Sequence, residues 1–240
     1  MTVRAGASVR PVAFGKGAGM VTQQPTGRAV LYVSSDVAPD VFDAFSTWCN
    51  TIHHFDTMRI DGFLSLRRFQ LVEGVVDDDG PAFSTLTLYQ IEDAEKADFS
   101  TPAYMHHSAT YTPPPDGVVD GITFERTIYV RDQPSPDDPQ PVGAACVTLV
   151  GADGPWLDAA ASAVRDTPGF LNAYRVANDE RSVLFVDVDD VDAGSAVLAR
   201  LRSFGVGAER RSVQLFRQVF PAEGVLLRDR RLRGGSQHSR

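Results

Sequence analysis

Ten residues near the middle of the chain, 132–141 (DQPSPDDPQP), carry four prolines. Such a stretch sustains neither a helix nor a central strand, so it reads as a linker. The same order of hydrophobic patterns appears on either side of it. Before the linker, residues 28–34 (RAVLYVS) read as a strand, and a helix entered through Pro39, with Asp36 or Ala38 near its cap, runs to about residue 55. Residues 62–73 and 81–91 alternate as a hairpin around Asp77-Asp78-Asp79-Gly80. Residues 93–108 read as a second helix, irregular at Pro102, and 121–131 as a fourth strand. After the linker, strands at 142–150, 169 onward, 181–188 and 211–220 alternate with helices at 155–165 and 191–201. The order β-α-β-β-α-β is thus read twice. Gly169-Phe170-Leu171 opens its strand as Gly62-Phe63-Leu64 opens the other, which suggests a tandem repeat.

The strands carry apolar residues on both faces. In 62–73, Phe63, Phe69 and Leu71 alternate against Leu64, Leu66 and Val72; in 81–91, Phe83 and Tyr89 oppose Leu86 and Leu88. A sheet with helices on one side keeps its other side polar if that side meets water. Both sides therefore need cover, and the sister sheet is the obvious one. The expected fold is α+β: two ferredoxin-like units packed sheet to sheet as an α/β barrel within one chain, at 28–131 and 142–222.

Residues 1–27 show no lasting period and are expected as a flexible arm, and 223–240 as a basic disordered tail. The formal charge is −8, but the four positive charges of 1–28 and the net four of 228–240 leave −16 on 29–227. An acidic body repels phosphate backbones, which argues against a nucleic-acid partner. Cys49 and Cys146 lie far apart without metal-ligand spacing and read as small buried residues. No apolar run approaches a membrane span, and the start of the chain lacks a signal-peptide core, so the expectation is a soluble cytoplasmic protein, monomer or homodimer.

Chemistry concentrates in residues 42–64. Phe42, Phe45, Cys49 and Ile52 form an apolar helical stripe, with Asp43, Ser46, Asn50 and His53 on a neighbouring polar one. The run Trp48-Cys49-Asn50-Thr51-Ile52-His53, then Asp61-Gly62-Phe63-Leu64 and Arg67-Arg68, resembles the W-Y-N-x-E-H … P-G-F … R-R pattern of EthD-like proteins, members of the dimeric α/β-barrel superfamily. Thr101-Pro102-Ala103-Tyr104 resembles that family's S-P-x-Y. The resemblance covers about residues 28–131. Cys49 stands where the family has an aromatic residue, and Ile52 where it has an acid. The superfamily spans cyclases, isomerases, cofactor-free oxygenases and haem enzymes, so it implies a fold more than a reaction. In its two-unit haem proteins the axial histidine comes from the second unit, whereas residues 142–227 contain none.

The residues themselves suggest His53 as a general base, since an ordinary imidazole titrates near 6.5, with Asn50 orienting it or holding an oxyanion. Trp48, Tyr89, Tyr104, His106 and Arg68 are the candidate substrate contacts, favouring a flat aromatic ligand. Arg67 and Arg68 fall on opposite strand faces, where either binds an anion or pairs with an acid. Histidines at a helix C-terminus also serve simply to cap it. The pairs His53-His54 and His106-His107 lack the spacing of helical metal ligands, and no nucleotide motif occurs, so no metal or cofactor is expected. The functional expectation is a cofactor-independent enzyme acting by proton transfer on a small hydrophobic or phenolic substrate, of cyclase, dehydratase or isomerase type, with oxygenation as a variant. The alternative is a non-catalytic binding or accessory protein.

Overall fold

The computed structural model describes residues 18–21, 23–24, 28–76, 83–97, 111–131, 140–151, 154–204, 210–222, 224 and 226–229. Strands β1 (Ala18–Val21) and β2 (Gln23–Gln24) precede β3 (Ala29–Val37). A helical run follows, made of α1 (Phe42–Trp48), a π turn (Cys49–His53) and α2 (His54–Thr57). Then come β4 (Phe63–Val76), β5 (Thr85–Ile91), β6 (Ile122–Val130) and β7 (Gln140–Pro141). The second half contains β8 (Ala145–Gly151), α3 (Gly154–Val164), β9 (Phe170–Ala177), β10 (Ser182–Val188), α4 (Val191–Ser203), β11 (Arg210–Phe220) and β12 (Leu226–Asp229).

One sheet runs β1-β12-β4-β11-β8-β10-β9-β6-β3-β5, and β5 also pairs with β4. That return pairing closes eight strands into an antiparallel barrel. Each half contributes its fourth, first, third and second strands in that order, β6-β3-β5-β4 and β11-β8-β10-β9. The observed class is therefore the expected one, two ferredoxin-like units joined as a barrel. The joints differ. β4 and β11 share a long register from Arg68 to Val76, whereas β6 and β9 meet only at Val130 and Ala177. At that short joint, an ion pair between Arg181 and Glu125 holds the two halves.

An eight-stranded barrel is just wide enough for its side chains to fill it. Val30, Phe69, Leu86, Leu88, Tyr129, Phe185 and Phe216 do so, and Phe69 and Leu86 are each 0% exposed. One end of this interior is ionic. Arg67 grips Asp187 with two hydrogen bonds, Nη1 to Oδ1 at 2.5 Å and Nη2 to Oδ2 at 3.1 Å. Gln90 accepts from Arg131 Nη2 (3.0 Å) and donates to Tyr174 Oη (3.2 Å), and Arg131 lies over the Tyr174 ring. No helix among the described residues is long and apolar enough to cross a membrane.

Close approach decides one glycine. A Cβ on Gly143 would stand 1.8 Å from the carbonyl oxygen of Val188, a backbone atom with nowhere to retreat inside the β8–β10 ladder. Gly143→Ala is expected to cost about 1–3 kcal/mol, as overpacking does, read as a lower urea midpoint at unchanged slope.

Several sequence expectations need correcting. Phe63 shares the helix-facing side with Leu66 and Tyr89 rather than with Phe69, because a bulge at Leu64 shifts the register between Phe63 and Ser65. The first helix starts at Phe42, after a turn closed by Val41 N–H on Ala38 C=O, and no side chain caps it. The expected arm and tail hold strands. β11 covers β4 only from Arg68 onward, so β12 pairs Arg228 and Leu227 with Ser65 and Leu66, and β1 pairs with β12. The physical cause is the unmet backbone ladder at the start of β4. Residues 140–141, at the end of the expected linker, pair with β2. Of the expected helix 93–108, Ala94–Ala97 forms a 3₁₀ turn and 98–108 lie outside the described residues.

Candidate functional site

The two units differ in what their sheets show to their helices. Under α3 and α4 the second unit presents mainly aliphatic side chains, among them Val147, Leu149, Leu184, Val186, Val213 and Leu215, and Arg175 of β9 is answered there by Asp158 of α3 at 3.4 Å. The first unit instead buries a cation that no carboxylate among the described residues answers. Beside the apolar Leu66–Tyr89 pair of β4 and β5 stands Arg68 opposite Thr87, both buried. A buried arginine on a helix-facing strand does nothing for packing that leucine would not do better, so this departure marks the place to look for chemistry.

The helical run above this spot is built around its π turn. The His54 N–H bonds Cys49 C=O, five residues back instead of four. Buried positions accordingly step from Phe45 to Cys49 by four, from Cys49 to His54 by five, and from His54 to Met58 by four. Single π turns inside α-helices recur at functional sites because they re-aim side chains. Here the extra residue carries the buried stripe past Ile52, its expected position, and onto His54, while Ile52 and His53 are half-buried.

His54 is 2% exposed. Its Nδ1 lies 3.2 Å from the Tyr89 hydroxyl, and its ring stacks on Phe220 at 5.5 Å. His53 is stacked on Trp48 at 4.5 Å between centroids and meets Tyr111 edge-on at 5.6 Å. Trp48 Nε1 donates to Thr112 C=O, and Asp56 Oδ2 accepts from Thr112 N–H, so residues 111–112 are strapped across the outer side of the two rings. His54 Nε2 and His53 Nδ1 are buried and find no partner among the described residues. Burial drives the His53 pKa down to about 4, against a smaller opposing pull from Asp56. Burial, helped by His53 and Arg68, holds His54 well below the ordinary imidazole value. Both rings are therefore neutral at neutral pH, and each offers one nitrogen.

Arg68 reaches up from β4 into the polar stripe of α1. Its Nη2 donates to Ser46 Oγ at 3.2 Å, Nη1 to Asn50 Oδ1 at 3.5 Å, and its guanidinium sits 5.1 Å from the Phe45 ring centroid. No carboxylate among the described residues pairs with it, and its Nε has no partner there. The Cys49 thiol beside it is pushed up to about 12 by burial and stays neutral.

The structure thus brings together His53, Asn50, Trp48, Tyr89 and Arg68 of the expected set. Asn50 turns to Arg68, so its first task is to hold the guanidinium. The local pKa makes His53 a weaker base than an ordinary imidazole. Tyr104 and His106 lie outside the described residues. His54 and Ser46 are the members that sequence reasoning left out of the site. Ser46 was visible on the polar stripe, one turn before Asn50, whereas nothing in the residues announces the π turn that buries His54.

Among the described residues no three His, Cys, Asp or Glu side chains converge as metal ligands. Haem does not fit the second unit in the way the superfamily resemblance implies. That unit has no histidine within 142–227, and its helix-facing core is packed with mainly aliphatic side chains.

No known family model matches the sequence, and no curated protein does. Solved structures do. A dye-decolorizing peroxidase from Bacteroides thetaiotaomicron is 9% identical, covering 91% of this chain and 98% of its own, with a TM-score of 0.49. A chlorite dismutase from Candidatus Nitrospira defluvii is 10% identical over 80% of this chain and 91% of its own, with a TM-score of 0.48. A heme-binding protein from Thermus thermophilus is 10% identical over 84% and 93%, with a TM-score of 0.46.

Proposed function

We propose that the chain is an enzyme that moves a proton on a small hydrophobic or phenolic compound seated between the α1–α2 run and the β4–β5 face. In this reading His54 and Tyr89 form the acid–base pair, His53 stands at the rim, and Trp48 and Tyr111 stack on the ligand's approach. The carrying observation is the His54–Tyr89 hydrogen bond together with a buried Nε2 that finds no partner among the described residues. With the phenol donating, Nε2 holds a proton to give; with Nδ1–H donating, Nε2 is a bare lone pair ready to accept one. Exchange between these tautomers is what a cyclase, dehydratase or isomerase of enolisable substrates requires, and oxygenation of the same enol is a variant. The reading needs no cofactor, and it agrees with membership of an EthD-like, tandemly repeated group within the barrel superfamily.

The second reading, a binding protein, draws on the packing of both rings. An imidazole stacked on Phe220 or on Trp48 is well suited to holding a ligand by shape alone.

Solvent-deuterium incorporation separates the two. Purified full chain is incubated in D₂O with a panel of hydrophobic phenols and enolisable ketones, and exchange at the acidic C–H is followed by NMR. The expected result is catalysed exchange that falls about 10²-fold in His54→Gln and in His53→Gln. Folded variants with undiminished exchange would remove the imidazoles from the mechanism. Binding without exchange would leave only the second reading.

A further inference from the structure

We infer that the ligand of this site carries a carboxylate, received by the Arg68 guanidinium between α1 and the β4–β5 face. The inference rests on the placement of the site proposed above and adds the class of its ligand.

Three observations carry it. The first is charge. Arg68 is 1% exposed, yet no acid among the described residues pairs with it; its neighbours are a hydroxyl, an amide oxygen, a thiol and a phenyl face. The other buried cation of β4, Arg67, shows what this fold does with an arginine meant for structure. It is answered by Asp187 through both guanidinium nitrogens. Two adjacent residues of one strand thus enter two dry compartments, one neutralised and the other with no countercharge among the described residues. A desolvated charge of that kind is costly unless something negative arrives.

The second is donor count. Ser46 Oγ and Asn50 Oδ1 accept from Arg68, so the serine hydroxyl hydrogen and the asparagine amide remain to be given away. With the free Nε–H they make a donor-rich patch. Ser46 and Asn50 are only half-buried, so the patch opens toward the side from which a ligand would enter.

The third is shape. A guanidinium edge presents two parallel N–H groups that match the two oxygens of a carboxylate, a match that a single phenolate or carbonyl oxygen cannot make. Around the patch stand Phe45, Trp48 and Tyr89, so the rest of the ligand is apolar. The class is a small aromatic or otherwise hydrophobic carboxylic acid.

The test uses the full chain and a carboxylate ladder of acetate, benzoate and 2-naphthoate, each beside its neutral carboxamide, at constant ionic strength, read by calorimetry and thermal shift. The expected result is saturable binding of at least one carboxylate, at least tenfold tighter than its carboxamide, with the preference lost in Arg68→Met. The ligand-free Arg68→Met protein is expected to melt about 2–4 °C higher, because a cation kept for ligand binding weakens the empty fold. Carboxamides binding as tightly as carboxylates, no saturable carboxylate binding at all, or equal protection by sodium chloride would each overturn the inference. So would an Arg68→Met protein that melts lower while its carboxylate preference persists. The two readings fail separately. Catalysed deuterium exchange on neutral phenols without carboxylate binding would remove the anion and keep the proton transfer, whereas Arg68-dependent carboxylate binding without exchange would do the reverse.

Discussion

Asp187→Asn is expected to destabilise the fold by about 3–5 kcal/mol, more than any other conservative change in the barrel. The substitution keeps the volume and leaves Arg67 buried with no charge to answer it, its side chain being only 2% exposed. Asp187 also acts electrostatically on Arg131, whose guanidinium is covered by the Tyr174 ring and bonded to Gln90. One carboxylate therefore serves two guanidinia, and the two halves of the pair are not equivalent. Arg67→Met removes one cation and leaves Asp187 beside Arg131, so it is expected to cost distinctly less. Urea titration of both variants reads the difference as a shift in midpoint at unchanged slope. An Arg67→Met protein less stable than Asp187→Asn would show that the shared carboxylate is the wrong account.

The second large effect is acid lability through His53 and His54. In the folded chain both rings are held neutral, His53 to about 4 and His54 well below its ordinary value, each chiefly by burial. The unfolded chain takes up protons near 6.5. Between about pH 6.5 and 4 the unfolded state thus binds more protons than the folded one, and stability falls as pH falls. It is fully present above the unfolded value and is lost on acidification, at up to about 1.4 kcal/mol per pH unit for each ring. Carboxylates elsewhere add their own slope, so the comparison is with a His53→Phe, His54→Phe protein, which keeps the stacks on Trp48 and Phe220. Its stability should decline less steeply from pH 6.5 to 4; an identical slope would mean the rings are not kept neutral.

The residues disclose much of this architecture. Period-two runs place the barrel strands to within a few residues, and apolar content on both faces calls for a second sheet. The opposite facing of Arg67 and Arg68 was also plain from their adjacency in a strand. Other features were beyond reach for physical reasons. The bulge at Leu64 and the π turn each add one residue to a ladder, and nothing in Phe63-Leu64-Ser65 or Cys49-Asn50-Thr51 marks where a hydrogen bond is skipped. Because side-chain direction depends on phase, one skipped bond moved Phe63 to the other face and put His54 where Ile52 was expected. The Arg67–Asp187 pair joins strands from different units, and with so many acids in the body its partner could not be singled out. β12 was hidden because its need arises elsewhere, in the short reach of β11 along β4.

Phe220 closes β11, a strand of the second unit, and yet its ring is what His54 rests on in the first. Leu227 joins the same cluster from β12. The proposed reactive centre is thus co-owned: the half that carries the histidines does not carry the floor beneath them. A chain severed within the proline-rich connector would yield two fragments, neither equipped by itself, and the proposed activity is expected to return only on their reassociation.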